Sequence, residues 1–173
     1  MLLNNKPYEE TMKLALFVAG LSALTCAAAV YAASPAAPER PSATDPVALG
    51  RYIVMTAGCN DCHTPGYGES AGRVPEKNWL TGDKLGWHGP WGTTYPTNLR
   101  LRLQTMSEAD WLALARTMEP RPPMPWFNMR AMSDEDLKAI YAFIKAAGPA
   151  GEPAPAYLPP GQMPKQPFVQ FPQ

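Results

Sequence analysis

Apolar residues recur at helical spacing in three stretches of the chain, and the stretches between them carry no regular period. In the first, Val47, Gly50, Ile53, Val54 and Ala57 share one stripe. They predict a helix that opens at Asp45-Pro46 and stops at Gly58. In the second, Ser107-Glu108-Ala109-Asp110 reads as a capping box, and Trp111, Leu112, Leu114 and Ala115 supply the apolar face. In the third, Ser133 caps a run whose first turn holds Asp134, Glu135 and Asp136, where the helix dipole favours negative charge. Leu137, Ile140, Tyr141 and Ile144 follow at i, i+3, i+4 and i+7, and Lys145 and Gly148 close it. From Thr64 to Arg102 the chain is rich in Gly, Pro, Thr and Trp and predicts no long helix or sheet. So long an irregular stretch needs something to wrap. The expected class is all-α, with about three main helices and long irregular loops.

Composition changes the picture at the two ends. The chain has 173 residues, 21 of them proline, so its regular core is smaller than its length suggests. Residues 149–173 hold eight prolines and are not helical. Tyr157, Leu158, Phe168, Val169 and Phe171 in this tail predict that it lies against the domain or a partner. At the other end, Leu14 to Ala33 carries no charge, follows Lys13 and closes in small residues. It reads as a secretory signal peptide starting at Met12-Lys13, behind an upstream extension. An uncleaved membrane anchor is the alternative. A lipoprotein reading of Cys26 is weak, because Leu24-Thr25 lacks the usual small residue. The expected organisation is 1–33 extension and signal, 34–44 linker, 45–148 domain and 149–173 extended tail. The 15 basic and 15 acidic residues balance, which argues against nucleic-acid binding.

The chemistry sits in Cys59-Asn60-Asp61-Cys62-His63. This C-x-x-C-H sequence reads as a c-type haem attachment site. Two thiols one helical turn apart can form thioethers with the two vinyl groups of one porphyrin, and the adjacent His63 can take the iron from the proximal side. A thioredoxin-like C-x-x-C would need a preceding strand in a βαβ context and leaves His63 without a role. A zinc site from Cys59, Cys62, His63 and His88 asks neighbouring side chains to reach one ion, and no second cysteine pair exists. A plain disulfide leaves the Gly/Pro stretch unexplained.

Around that motif the chain resembles the monohaem, class I-like cytochrome c domain, especially those in cytochrome subunits of bacterial alcohol and aldehyde dehydrogenases. Gly50-Arg51-Tyr52-Ile53 matches a G-x-Y-[LI] pattern before the haem motif. Gly92-Thr93-Thr94-Tyr95-Pro96-Thr97-Asn98 matches a Gly-Thr-x-Tyr-x-x-Asn segment, and Met124-Pro125 with Ser133 to Leu137 matches a Met-Pro before a final helix. The resemblance covers roughly residues 45–147. It implies a small cytochrome c fold around one covalent haem c, with Met124 as the second axial ligand. The dehydrogenase subunits carry three haem motifs, whereas this chain has one.

Among nine methionines, Met124, Met129 and Met132 precede the last helix. Met124 lies in Pro122-Pro123-Met124-Pro125, where flanking prolines stiffen the loop. The set of candidate cofactor residues is Cys59, Cys62, His63 and Met124, with His63 and Met124 on the metal and Met129 or His88 as rivals to Met124. Met55 falls on the wrong side, and Met106 and Met118 fit as core. Trp79, Trp87, Trp91 and Tyr95 are expected to wall the haem. Asn98, Tyr95 and Arg100 are candidates to bond a propionate, although Arg100 and Arg102 also read as a solvated edge. Trp126 is a candidate electron conduit. The expected function is periplasmic electron transfer between a dehydrogenase and another cytochrome or terminal oxidase, with no catalysis by the chain itself and membrane contact only through an uncleaved N-terminus. A haem enzyme or gas sensor with an open axial site, and a secreted non-haem binding module, are the alternatives.

Overall fold

The computed structural model describes residues 37–165 and 167–172. The chain divides into Met1–Glu39 and Arg40–Gln173. The expected signal segment and Cys26 lie outside the described residues. No helix among the described residues is long and apolar enough to cross a membrane.

Among the described residues six α-helices run in the order α1 (Pro46–Thr56), α2 (Cys59–His63), α3 (Leu99–Arg102), α4 (Glu108–Thr117), α5 (Trp126–Ala131) and α6 (Asp134–Ala147). The caps fall where polar side chains meet the free amides of a first turn. Asp45 accepts from Ala48 N at 3.0 Å, and Ser133 accepts from Asp136 N at 3.1 Å. Ser107 accepts from Asp110 N at 3.1 Å and the Asp110 carboxylate accepts back from Ser107 N. Together these caps satisfy amides that helix geometry leaves without partners.

The core forms where α1 and α4 pack on α6. Leu49, Ile53 and Val54 of α1 meet Leu137, Ala139, Ile140, Phe143 and Ile144 of α6, all buried. Trp111 of α4 donates its indole N–H to Leu137 O at 2.8 Å, joining α4 to α6. Leu49 takes the place expected of Val47, which is 40% exposed, and Ala57 is exposed as well. Gly50 sets how closely α1 and α6 approach. A Cβ there would lie 1.9 Å from Ala139 O and 2.8 Å from Phe143 Cβ. Backbone cannot yield as a side chain does, so Gly50→Ala should destabilise the domain by about 3 kcal/mol. Chemical denaturation checks this, with an unchanged midpoint as the contrary result.

The expectation of no sheet needs correction. Strand β1 (Gly86–Gly89) and β2 (Gly92–Thr94) form an antiparallel hairpin across Pro90-Trp91. The parallel strand β3 (Phe168–Gln170) joins β1 from the tail, giving the order β2-β1-β3. Glycine hides this hairpin from a hydrophobic pattern, because it leaves no alternation to read. Gly92 has φ +93°, and a Cβ there would lie 2.2 Å from Leu158 O, so only glycine lets the tail come so near. Leu158 pairs with Thr93 on the outer edge of β2. Parts of the tail thus lie on both sides of the hairpin. Helix α5 is also absent from the pattern. It has six residues and no side-chain cap at Pro125.

Candidate haem-binding site

Gly58 turns the chain from α1 into α2 with φ +74°, and the single turn that follows carries Cys59, Cys62 and His63. All three line one cavity of about 610 Å³. Its apolar walls include Val54 of α1, Trp111 and Leu114 of α4, and Ile140 and Ile144 of α6. The hairpin adds Trp87, Thr94 and Tyr95. No disulfide joins the two cysteines. Burial pushes the Cys59 thiol up to about 11 and raises Cys62 in the same direction, so both are neutral near pH 7.

His63 is held in one tautomer. Its Nδ1 lies 2.8 Å from Thr97 O. A carbonyl only accepts, so Nδ1 carries the proton and Nε2 keeps its lone pair. Burial lowers the His63 pKa against the pull of that bond, which favours the neutral ring a metal ligand needs. Behind the motif, Thr64 Oγ1 donates to Asn60 Oδ1 at 2.7 Å and accepts from Leu80 N at 2.8 Å. Gly82 N donates to His63 O at 2.9 Å. These bonds tie the motif to the irregular segment that follows it.

Four methionines line the cavity: Met118, Met124, Met129 and Met132. Met129, on α5, and Met132, at its end, also pack against the hydrophobic core, whereas Met124 is not among the residues that do. Met118, expected as core, instead faces the cavity at the end of α4. Met55 packs on the core and is not a lining residue. His88 lies away from the cavity lining, with Nδ1 2.7 Å from Thr93 Oγ1 and its ring edge-on to Phe168.

The four expected aromatic walls divide in two. Trp87 and Tyr95 line the cavity. Trp79 is core, donating to Val74 O at 2.8 Å and meeting Tyr67 and Phe143 edge-on. Trp91 packs on Phe171 of the tail, with ring centroids 5.2 Å apart. Trp126 is not a lining residue; it lies beside Phe127 and under the Arg130 guanidinium.

The propionate candidates also change. Asn98 caps α3 and donates to Ala150 O and Glu152 O at 2.9 and 3.0 Å. Arg100 is buried, 5% exposed, and donates to Ala147 O and Gly148 O at the end of α6. It is a cap on carbonyls rather than a solvated edge, and burial lowers its pKa. Arg102 and Arg121 line the cavity instead, as do Pro155 and Tyr157 of the tail. Spacing along the chain gives no sign of these four, since α3, a loop and the tail bring them in from distant positions.

One orphaned group tests whether the cavity suits haem. Among the described residues the indole N–H of Trp87, like Asn60 Nδ2 and Arg130 Nε, is buried without a hydrogen-bond partner. A buried donor without an acceptor is costly, and Trp87 lines the cavity. A carboxylate-bearing, otherwise apolar group would give that donor an acceptor, and Arg102 and Arg121 would suit its negative charge. Two thiols, one neutral imidazole, apolar walls and these donors fit a haem.

The cytochrome c family model matches residues 47–148. The chain is 27% identical to a nicotinate dehydrogenase subunit of Pseudomonas putida over 117 residues, 62% of this chain and 9% of that one. It is 28% identical over 133 residues to the fructose dehydrogenase cytochrome subunit of Gluconobacter japonicus, covering 70% of this chain and 25% of that one. The chain therefore spans a minor part of each relative's length. No solved structure matches. The family match covers more than half of the sequence and takes in the cavity-lining C-x-x-C-H turn, so the chain belongs to the cytochrome c family and carries a covalently bound haem c.

Proposed function

We propose that this protein is a periplasmic single-haem electron carrier, with thioethers at Cys59 and Cys62 and axial ligation by His63 and Met124. The observation that carries the reading is one apolar cavity lined by both thiols, by an imidazole whose tautomer leaves Nε2 available, and by the Met124 loop. Haem c supplies a one-electron couple at its iron. The residues do the rest. Cys59 and Cys62 fix the group to α2. Thr97 orients His63 and raises its basicity as a ligand. Met124 supplies a soft, neutral thioether, which favours the reduced state. Val54, Trp111, Leu114, Ile140 and Ile144 exclude water, and Trp87 and Arg102 receive the carboxylates.

With His63 and Met124 both holding the iron, a substrate would find no open position there, and electrons would pass by outer-sphere transfer. The relatives' names describe dehydrogenase subunits. We accordingly place this chain between a dehydrogenase as donor and a second cytochrome or terminal oxidase as acceptor. A pyridine haemochrome assay with a redox titration tests the reading. It predicts one c-type haem per chain and a single one-electron wave. A protein without a c-type signal would instead be a secreted non-haem binding module.

A further inference from the structure

The loop that carries Met124 is tied to the hairpin and to the C-terminal tail. Thr94 Oγ1 of β2 donates to Pro122 O at 2.8 Å. Next in sequence to Pro122, the Arg121 guanidinium lies over the ring of Tyr157, with Cζ 3.8 Å from the centroid. Tyr157 is itself fixed. Its hydroxyl donates to Trp91 O at 2.8 Å, and the adjacent Leu158 exchanges both backbone hydrogen bonds with Thr93, at 3.0 and 2.8 Å. Pro155 and Tyr157 line the same cavity as Arg121 and Met124.

We infer that residues 149–158 form a strap in which Tyr157 acts as a positioning residue, holding the Met124 loop against the haem crevice through Arg121. The inference rests on the His63/Met124 reading and deepens it, because the hold of the iron on the Met124 sulfur is then set partly from the far end of the chain. Two contacts converge on one ring: a cation over its face and a hydrogen bond from its hydroxyl. Loss of either lets the loop lift more often. An exogenous ligand competes for the iron in proportion to how often the loop is lifted.

The test is imidazole titration of the ferric, full-length holoprotein, with the far-red thioether–iron absorption band as a second readout. Tyr157→Ala loses both contacts and should raise imidazole affinity about tenfold. Tyr157→Phe keeps the ring under Arg121 and should raise it only about threefold. Arg121→Gln, on the exposed side of the contact, should act alone, and in a Tyr157→Ala background it should add little. Amide exchange at Trp126 N, which donates to Met124 O at 2.9 Å, should quicken in the same variants without reference to iron. Unchanged imidazole affinity and unchanged exchange in Tyr157→Ala and Arg121→Gln overturn the strap. Met124→Ala is measured alongside. If it leaves the far-red band intact, the ligation reading fails; if it removes the band while Tyr157→Ala changes nothing, the strap alone fails.

Discussion

Changing Cys59 and Cys62 together to serine should remove every trace of covalently held haem, so that acidified acetone extracts all the pigment. A serine hydroxyl does not form the thioether, and among the described residues these are the only two thiols. Each single variant keeps one thioether and retains extraction-resistant pigment. Once the unattached haem is removed, the double variant should also lose much of its stability. At about 24 cal/mol per Å³, a dry void the size of this cavity would cost on the order of 15 kcal/mol. That is an upper bound, since water enters an open crevice, yet it equals the whole stability of a typical domain. Val54, Trp111, Leu114, Ile140 and Ile144, which line the cavity from α1, α4 and α6, would lose a packing partner there. Thermal unfolding by circular dichroism should therefore show a much lower or absent transition. Extraction-resistant haem in the double variant would contradict the attachment site.

Met124→Ala carries the second large effect. Removing the thioether should lower the midpoint potential, abolish the far-red band and let carbon monoxide bind the reduced protein rapidly. The comparison with neighbouring sulfurs gives the test its edge, because Met118, Met129 and Met132 line the same cavity. Met118→Ala and Met129→Ala should leave band and potential close to those of the parent. Met129 is tied to α5 and the core, so its replacement should appear as lost stability of about 2–5 kcal/mol at most rather than as a new ligand state. If Met129→Ala abolishes the band and Met124→Ala does not, the two roles exchange.

The parts of the fold with a hydrophobic period and a polar cap are readable in the sequence. Asp45, Ser107 and Ser133 each cap the helix that their surroundings predict, since capping is a local hydrogen bond between a short polar side chain and nearby amides. The hairpin is not readable, because Gly86, Gly89 and Gly92 carry no side-chain pattern and β3 lies far away in sequence. Arg100 alternates with leucines like a surface residue. Only the folded chain brings the α6 carbonyls to it. The same holds at the site. Cys59, Cys62 and His63 are contiguous enough for spacing to encode their chemistry, whereas Arg102, Arg121 and Tyr157 reach the cavity through tertiary contacts. Trp87 is legible as a wall, but its unsatisfied N–H emerges only once every nearby acceptor is placed.

The most direct test of a closed, electron-carrying iron is to expose the reduced, full-length protein to carbon monoxide without denaturant and follow its visible spectrum. An iron held by His63 and Met124 predicts a spectrum that does not change. Rapid formation of a carbon monoxide adduct would contradict it, and would mark the protein as a haem enzyme or gas sensor with an open axial site.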